Sequence, residues 1–234
     1  MNTIPILMNG EWTLNLLPHR AGQWANMWEA ERLKSIHQHV KQGDCVFDIG
    51  AEEGDMTALY ASWGADVVIV EASERYWPNI KATFEANGLT DKIVGAYNGF
   101  AGPKTLLESF TDIPSKELPE CSANPISTVG GFCNLWERPD IGKISIDALA
   151  SFIDRDPDII TIDVEGSELE VLTGASETIA TCKPLLYVSI HDQFMKDMYG
   201  QCAKDVYDFL EGLGYTWEVL ADEHETHVLF YQTK

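Results

Sequence analysis

Short apolar runs alternate with helical stripes along the chain, and the sharpest change of period falls between Cys45 and Thr57. Cys45, Val46, Phe47 and Ile49 form a nearly unbroken apolar run, the pattern of a strand covered on both faces in a parallel sheet. Gly50 then turns the chain, and the spacing predicts a helix over Asp55–Ser62 that stops at Gly64. Gly54 is placed to let that helix lie close to the sheet and a ligand approach bare backbone. A second buried strand, Asp66–Val70, ends in Glu71, an acidic side chain at the distance from the glycine turn where such folds hold ribose hydroxyls.

The same reading extends along the chain. Residues 1–23 predict an extended strand or hairpin ahead of the main sheet, and 24–40 a helix that ends before Gly43. His37 and His39, two residues apart, diverge on such a helix and read as surface residues. Tyr76, Ile80 and Phe84 predict a crossover helix over 76–87, followed by a third strand over 91–97 and a turn at Asn98-Gly99. Residues 100–142, broken by Pro114, Pro119, Pro125, Gly130-Gly131 and Pro139, fit no long helix and read as an irregular insertion covering a site. Order returns with Lys143–Ile146 and a helix over 148–153 capped by Asp147. The strand Asp158–Asp163 precedes a helix from Glu168 to Lys183, and the strand Leu185–Ile190 delivers His191. A helix over 205–213 and two strands, 215–220 and 226–231, close the chain as an antiparallel hairpin. His224 and His227 flank its turn and read as solvent-facing.

At 234 residues with 45% apolar composition and no linker-like stretch, the chain is expected to form one α/β domain, with 1–43 as an N-terminal extension. No run is long enough to cross a membrane, and the N-terminus lacks the basic start and apolar core of a signal peptide, so a cytoplasmic location is expected. The net charge of −21 disfavours nucleic acid and anionic membrane surfaces as partners. The five cysteines are dispersed without paired spacing, which argues against a disulfide scaffold or zinc site.

The loop chemistry separates two cofactor classes. A dinucleotide needs backbone N–H groups against its pyrophosphate, yet Gly50-Ala51-Glu52-Glu53-Gly54 lacks the middle glycine and brings two carboxylates. S-adenosylmethionine carries a sulfonium and an amino group, which suit an acidic loop. A nicotinamide-dependent oxidoreductase and a non-catalytic scaffold that kept the fold remain the alternatives.

Two stretches resemble the FkbM-type family of class I S-adenosylmethionine-dependent methyltransferases: Val46-Phe47-Asp48-Ile49-Gly50-Ala51-x-x-Gly54 with Glu71 behind it, and Ile162-Asp163-Val164-Glu165-Gly166-Ser167-Glu168-Leu169-Glu170-Val171-Leu172-x-Gly174-Ala175 with the strand ending at His191. Glu52 departs from the pattern, where the family often has Asn. The resemblance implies a Rossmann-like, mostly parallel seven-stranded sheet with a C-terminal antiparallel hairpin, and methyl transfer to an oxygen, often a hydroxyl of a sugar or natural product.

The candidate cofactor contacts are Asp48, Gly50, Ala51, Glu52, Gly54, Asp55, Met56, Glu71, Ala72, Tyr97, Asn98 and Asp163. His191, with an ordinary pKa near neutrality, is the expected general base. Asp163 and Glu165 are expected to orient it, to bind the cofactor's amino group or to hold a divalent ion. Tyr97, Phe132 and Trp136 offer aromatic surfaces on which a sugar ring stacks, so a glycan or small hydroxylated acceptor is expected.

Overall fold

The computed structural model describes residues 1–106, 114–119 and 134–233. The chain opens with the antiparallel hairpin β1 (Ile4–Met8) and β2 (Trp12–Leu16), then α1 (Ala21–Ala25) and α2 (Ala30–His39). The periodicity over 24–40 predicts one helix, but the chain breaks between these two, where Met27 and Glu29 adopt positive φ. The hairpin turn holds the break: the Asn9 backbone N–H donates to Trp24 O, and its side chain donates to Trp28 O at 2.7 Å.

The predicted βαβαβ unit follows as β3 (Cys45–Ile49), α3 (Asp55–Ser62), β4 (Asp66–Glu71), α4 (Trp77–Asn87) and β5 (Ile93–Asn98). Beyond it β6 (Phe100–Ala101) pairs in parallel with β7 (Lys143–Ile144). The second half comprises α5 (Ile146–Ile153), β8 (Ile159–Ile162), α6 (Glu168–Thr173), α7 (Ser176–Cys182), β9 (Leu185–Ile190), α8 (Asp192–Tyr199), α9 (Ala203–Gly212), β10 (Thr216–Asp222) and β11 (Thr226–Tyr231). Several local expectations change here. Ser145, not Asp147, caps α5, its hydroxyl accepting from Ala148 N–H. Asp147 lies inside the first turn and instead accepts from the Glu177 and Thr178 N–H groups at the start of α7. The helix expected from Glu168 to Lys183 is two helices, divided where Gly174 meets the Gly102 backbone so closely that a Cβ would lie 2.0 Å from its carbonyl oxygen. The polar stretch 192–199 forms a helix that the pattern did not predict, anchored by the buried Met195.

The large sheet has the order β10-β11-β9-β8-β3-β4-β5. Strands β9, β8, β3, β4 and β5 are parallel, and β11 and β10 complete it antiparallel. Alternate residues of the central strands feed two cores. Phe47, Ile49, Ile160 and Ile162 pack with Leu149, Leu172 and Leu210 on one side. Val46, Val67, Ile69 and Ile159 pack with Leu33, Leu59, Ile80 and the N-terminal hairpin on the other. Central strands are therefore apolar on both faces, as burial by helices on each side requires. Among the described residues no helix is long and apolar enough to cross a membrane, and Cys45, Cys182 and Cys202 are free.

This topology decides where chemistry can gather. The parallel strands all end at one edge, and β11 starts there because it runs the other way. Its register sets Thr226 opposite Ile190 and His227 opposite Ser189. The turn between β10 and β11 thus arrives beside the residue that follows β9, His191.

Candidate active site

A cavity of about 910 Å3 opens at this edge of the sheet. Asp48, Gly50, Ala51, Glu52, Asp55, Met56, Glu71, Ala72, Asp163, Glu165 and His191 line it, so most sequence-predicted positions converge there. Three do not. Tyr97 is buried in the core, Asn98 is taken up in the pairing with Glu71, and Gly54 faces Ile80 of α4 rather than the cavity. Tyr97, within β5, faces the core cluster, and Gly99, Phe100 and Ala101 beyond the strand's end form that wall instead. Trp136 is exposed outside the cavity with Lys104 over its ring, and Phe132 lies outside the described residues. The cavity's own aromatic walls are Trp28, Tyr76, Phe100 and Phe194. Residues 107–113 and 120–133 of the expected covering insertion also lie outside the described residues.

The glycine turn is built from close contacts. Gly50 has φ +86°, and a Cβ on it would lie 1.8 Å from the Asp163 carbonyl oxygen. Asp163 N–H in turn donates to Ile49 O at 2.9 Å, so the ends of β3 and β8 are locked together. Beneath the turn Asp48 accepts from the hydroxyls of Thr57 and of Thr161, the latter at 2.6 Å. Burial pushes the Asp48 carboxyl up from its ordinary value against those hydrogen bonds.

The acidic loop is neutralised from the N-terminal extension. Arg20 donates to Asp55 at 2.6 Å and to Glu52 at 3.1 Å, while Trp24 Nε1 also donates to Asp55. Glu53 turns away to His19 and Asn79. Glu71, at the end of β4, accepts from Glu52 N–H at 2.9 Å and Ser73 N–H at 2.6 Å. Burial nevertheless pushes its carboxyl up to about 7.

At the other end of the cavity acids surround His191. Its Nδ1 is 2.8 Å from Glu168 Oε1, and its Nε2 is 2.9 Å from Glu225, 3.2 Å from Glu165 and 3.8 Å from Asp163. Burial alone would lower the imidazolium's pKa. The hydrogen bonds to Glu168 and Glu225 and the charge of Asp163 outweigh it and push His191 up to about 11. The expectation of His191 as a neutral general base therefore fails in this geometry, because the carboxylates hold it as a cation. Asp163 is the group poised near neutrality: burial raises it to about 7 although Arg32 sits 3.2 Å from Oδ2. Partial desolvation at the cavity mouth likewise raises Glu165, whose side chain is half exposed and whose backbone has φ +54° next to Gly166 at φ +105°. Glu225 is held below its ordinary value, since the hydrogen bond from His191 and the ring's charge outweigh burial.

Sequence reasoning missed part of this site. His227 is wholly buried on β11 rather than solvent-facing, its Nδ1 3.0 Å from Ser189 Oγ. Glu225 belongs to the site because its turn lies beside the end of β9, a placement implied by the antiparallel hairpin once β11 is set against β9. Glu168 sits inside the recognised motif without having been given a role. Arg32 and Glu29 carry no signal beyond a charge on the apolar face of a helix.

The sheet order and closing hairpin define a Rossmann-like methyltransferase fold, and the cavity lies at the carboxyl edge of its parallel strands. The chain belongs to the FkbM methyltransferase domain family, whose model matches residues 48–216. Membership implies S-adenosylmethionine as methyl donor. A methyltransferase FkbM from Methylobacillus flagellatus KT superposes with a TM-score of 0.55 at 19% identity over 81% of this chain, which spans only 44% of the length of that protein. The precorrin-6y C5,15-methyltransferase of Geobacter metallireducens GS-15 gives 0.51 at 11% identity, covering 94% of each chain. A putative rRNA-methylase from Clostridium thermocellum gives 0.53 at 14%, covering 88% of this chain and 95% of that one. At these identities the likeness is one of fold. No curated protein sequence matches the chain.

Proposed function

We propose that this protein transfers the methyl group of S-adenosylmethionine to a hydroxyl oxygen of a sugar, glycan or other small natural product. The observation that carries the reading is that Glu71 and the Asp163–His191 cluster line one cavity of about 910 Å3, near the upper end of the range that small-molecule sites occupy. The donor fits the residues at its β3–β4 end. Glu71 would hold the ribose hydroxyls, the bare Gly50–Ala51 backbone would face the methionine moiety, and Arg20, which lines the cavity beside the loop, would meet its carboxylate. The charge of Glu52, in place of the family's frequent Asn, is countered by Arg20.

When bound, S-adenosylmethionine supplies an electrophilic sulfonium methyl. The chain's part is to hold the acceptor oxygen in line with that methyl and to take the acceptor's proton. Asp163, poised near neutrality, is placed to take it, and the His191 imidazolium keeps Glu165 and Glu225 in position around it. Trp28, Phe100 and Phe194 give apolar walls for a sugar ring. The net charge of −21 favours a neutral or cationic acceptor over an anionic polymer.

A screen of glycans and small hydroxylated compounds for S-adenosylhomocysteine release, run with and without chelator, tests this reading. Release with a member of that class is expected. Transfer to protein or nucleic acid and to no hydroxylated small molecule or glycan would overturn it.

Glu71 gives a second, pH-resolved test. Its carboxyl gains a proton as pH falls through about 7 and then has fewer lone pairs for a ribose diol. S-adenosylmethionine affinity, read by calorimetry, is expected to weaken between pH 8 and pH 6, and Glu71→Gln is expected to remove that slope. A slope retained in the variant would place the titration elsewhere. The linkage to folding has the opposite sense: this buried acid contributes most to stability below its ordinary value of 4.5, and the contribution is lost as pH rises through about 7.

A further inference from the structure

The cluster where β8, β9 and β11 meet is short of positive charge, and the geometry points to a divalent-cation site held by Asp163, Glu165, His191 and Glu225. Three carboxylates converge on His191 Nε2, at 2.9, 3.2 and 3.8 Å. A single ring N–H satisfies one acceptor, not three. The other ring nitrogen is already committed to Glu168, which is wholly buried and also accepts from Gly166 N–H. With Nδ1–H fixed on Glu168, metal binding releases the Nε2 proton that the imidazolium carries in the metal-free chain, and the lone pair so freed faces the carboxylates, as in metal-bound histidines whose other nitrogen is held by a carboxylate. The ligand atoms of Asp163, Glu165 and His191 lie within 4.8 Å of one another. An ion with bonds of about 2.1–2.6 Å bridges that spread.

A second observation, away from the carboxylate ring, agrees. His227 is wholly buried, and its Nε2 has no hydrogen-bond partner although it is aimed at Glu225 Oε1, 3.5 Å away. A buried nitrogen left unbonded is costly, and the ligand atoms of Glu29, Glu225 and His227 lie within 4.8 Å of one another, so with Nδ1 engaged by Ser189 the Nε2 lone pair faces the space beside the carboxylate that a cation would share. Arg32, the buried cation beside the cluster, is already committed to Glu29 and Asp163. The four proposed ligands all line the cavity, so an ion and an acceptor both reach them.

One imidazole with several carboxylates suits a first-row divalent ion of the Mn2+ kind better than Ca2+, which takes oxygen ligands, or a thiolate-bound structural zinc. The role of the ion, taking the acceptor hydroxyl as a ligand and so orienting it, rests on the O-methylation reading. Its binding does not.

The test uses the full chain, stripped with chelator and titrated with Mn2+ alone, followed by electron paramagnetic resonance. One saturable Mn2+ per chain with nitrogen hyperfine coupling is expected. His191→Ala should remove the coupling and weaken binding at least roughly tenfold, as should Glu225→Gln for the affinity alone. Glu168 acts as a positioning residue: Glu168→Gln should weaken Mn2+ by about 10–100-fold while the nitrogen coupling persists. Asp208→Asn, on the exposed face of α9, should change nothing, and circular dichroism checks the fold of each variant. Absence of saturable binding, or an affinity and nitrogen signal that survive His191→Ala in a folded protein, would overturn the site. Calorimetry of S-adenosylmethionine with the metal-free chain separates the two readings. Donor binding without Mn2+ binding defeats the metal site alone, and Mn2+ binding without donor binding defeats the functional reading alone.

Discussion

Arg32→Met is expected to destabilise the protein by about 3–5 kcal/mol, the cost of leaving a buried ion pair with one partner. Arg32 lies on the buried face of α2 with 2% of its surface exposed, and its Nη1 joins Glu29, itself 3% exposed, to Asp163. The charge of Glu29 raises the guanidinium's pKa against burial, so it stays charged throughout the accessible pH range. Methionine fills much of the volume, so the loss is electrostatic rather than a cavity. Unfolding by urea measures it. The double variant Arg32→Met with Glu29→Gln removes the orphaned charge as well and should recover a large part of the loss, because replacing both partners of a buried pair is far cheaper than replacing one. A single-variant loss below about 1 kcal/mol would mean that Glu29 is solvated and that the N-terminal extension does not seal this side of the cavity. The same variant should raise the Asp163 pKa further, since the guanidinium works against burial there.

The fold was legible because its elements announce themselves locally. β3, α3 and β4 begin and end close to where apolar period, glycine and acidic residues placed them, and the C-terminal hairpin showed in two β-rich runs around an acidic turn. What escaped depended on tertiary contact. The break at 26–29 is imposed by Asn9 of the hairpin, and the division between α6 and α7 by the Gly102 backbone. Neither partner is near in sequence. The cavity's acidic end shows the same limit. Asp163, Glu165 and His191 stand at strand ends and could be placed by topology alone, whereas Glu225 and His227 required knowing that β11 pairs with β9. His191 itself was placed correctly and its protonation was not, because a pKa follows from neighbours. A histidine read alone titrates near neutrality, and one ringed by Asp163, Glu165, Glu168 and Glu225 does not. Tyr97 failed for a smaller reason: alternation along β5 turns it into the core, two residues before the cavity wall begins at Gly99.

Gly50→Ala is expected to damage the fold and the site together, through the contact between the ends of β3 and β8. A Cβ at this position would sit 1.8 Å from the Asp163 carbonyl oxygen and 3.2 Å from Val164 Cγ1, and the nearer atom is backbone that cannot rotate away. Two costs combine. The left-handed φ of +86° is unfavourable for any L side chain by about 1–2 kcal/mol, and forcing apart packed backbone adds about 1–3 kcal/mol more. Gly43→Ala separates them, since Gly43 has φ +88° and nothing within 4 Å of its Cβ position. It carries the conformational cost alone. Urea unfolding should therefore show Gly50→Ala destabilised by more than Gly43→Ala, and calorimetry should show S-adenosylmethionine binding lost in the first and kept in the second. The two losses are coupled because the shift that relieves the clash must carry Asp163 away from Ile49 O, to which its N–H is bonded, and with it the carboxylate shared by Arg32 and the His191 cluster. Equal stability of the two variants would show that the β3 and β8 ends are farther apart in solution than this contact requires, and the close packing assigned to the Gly50 turn would then be wrong.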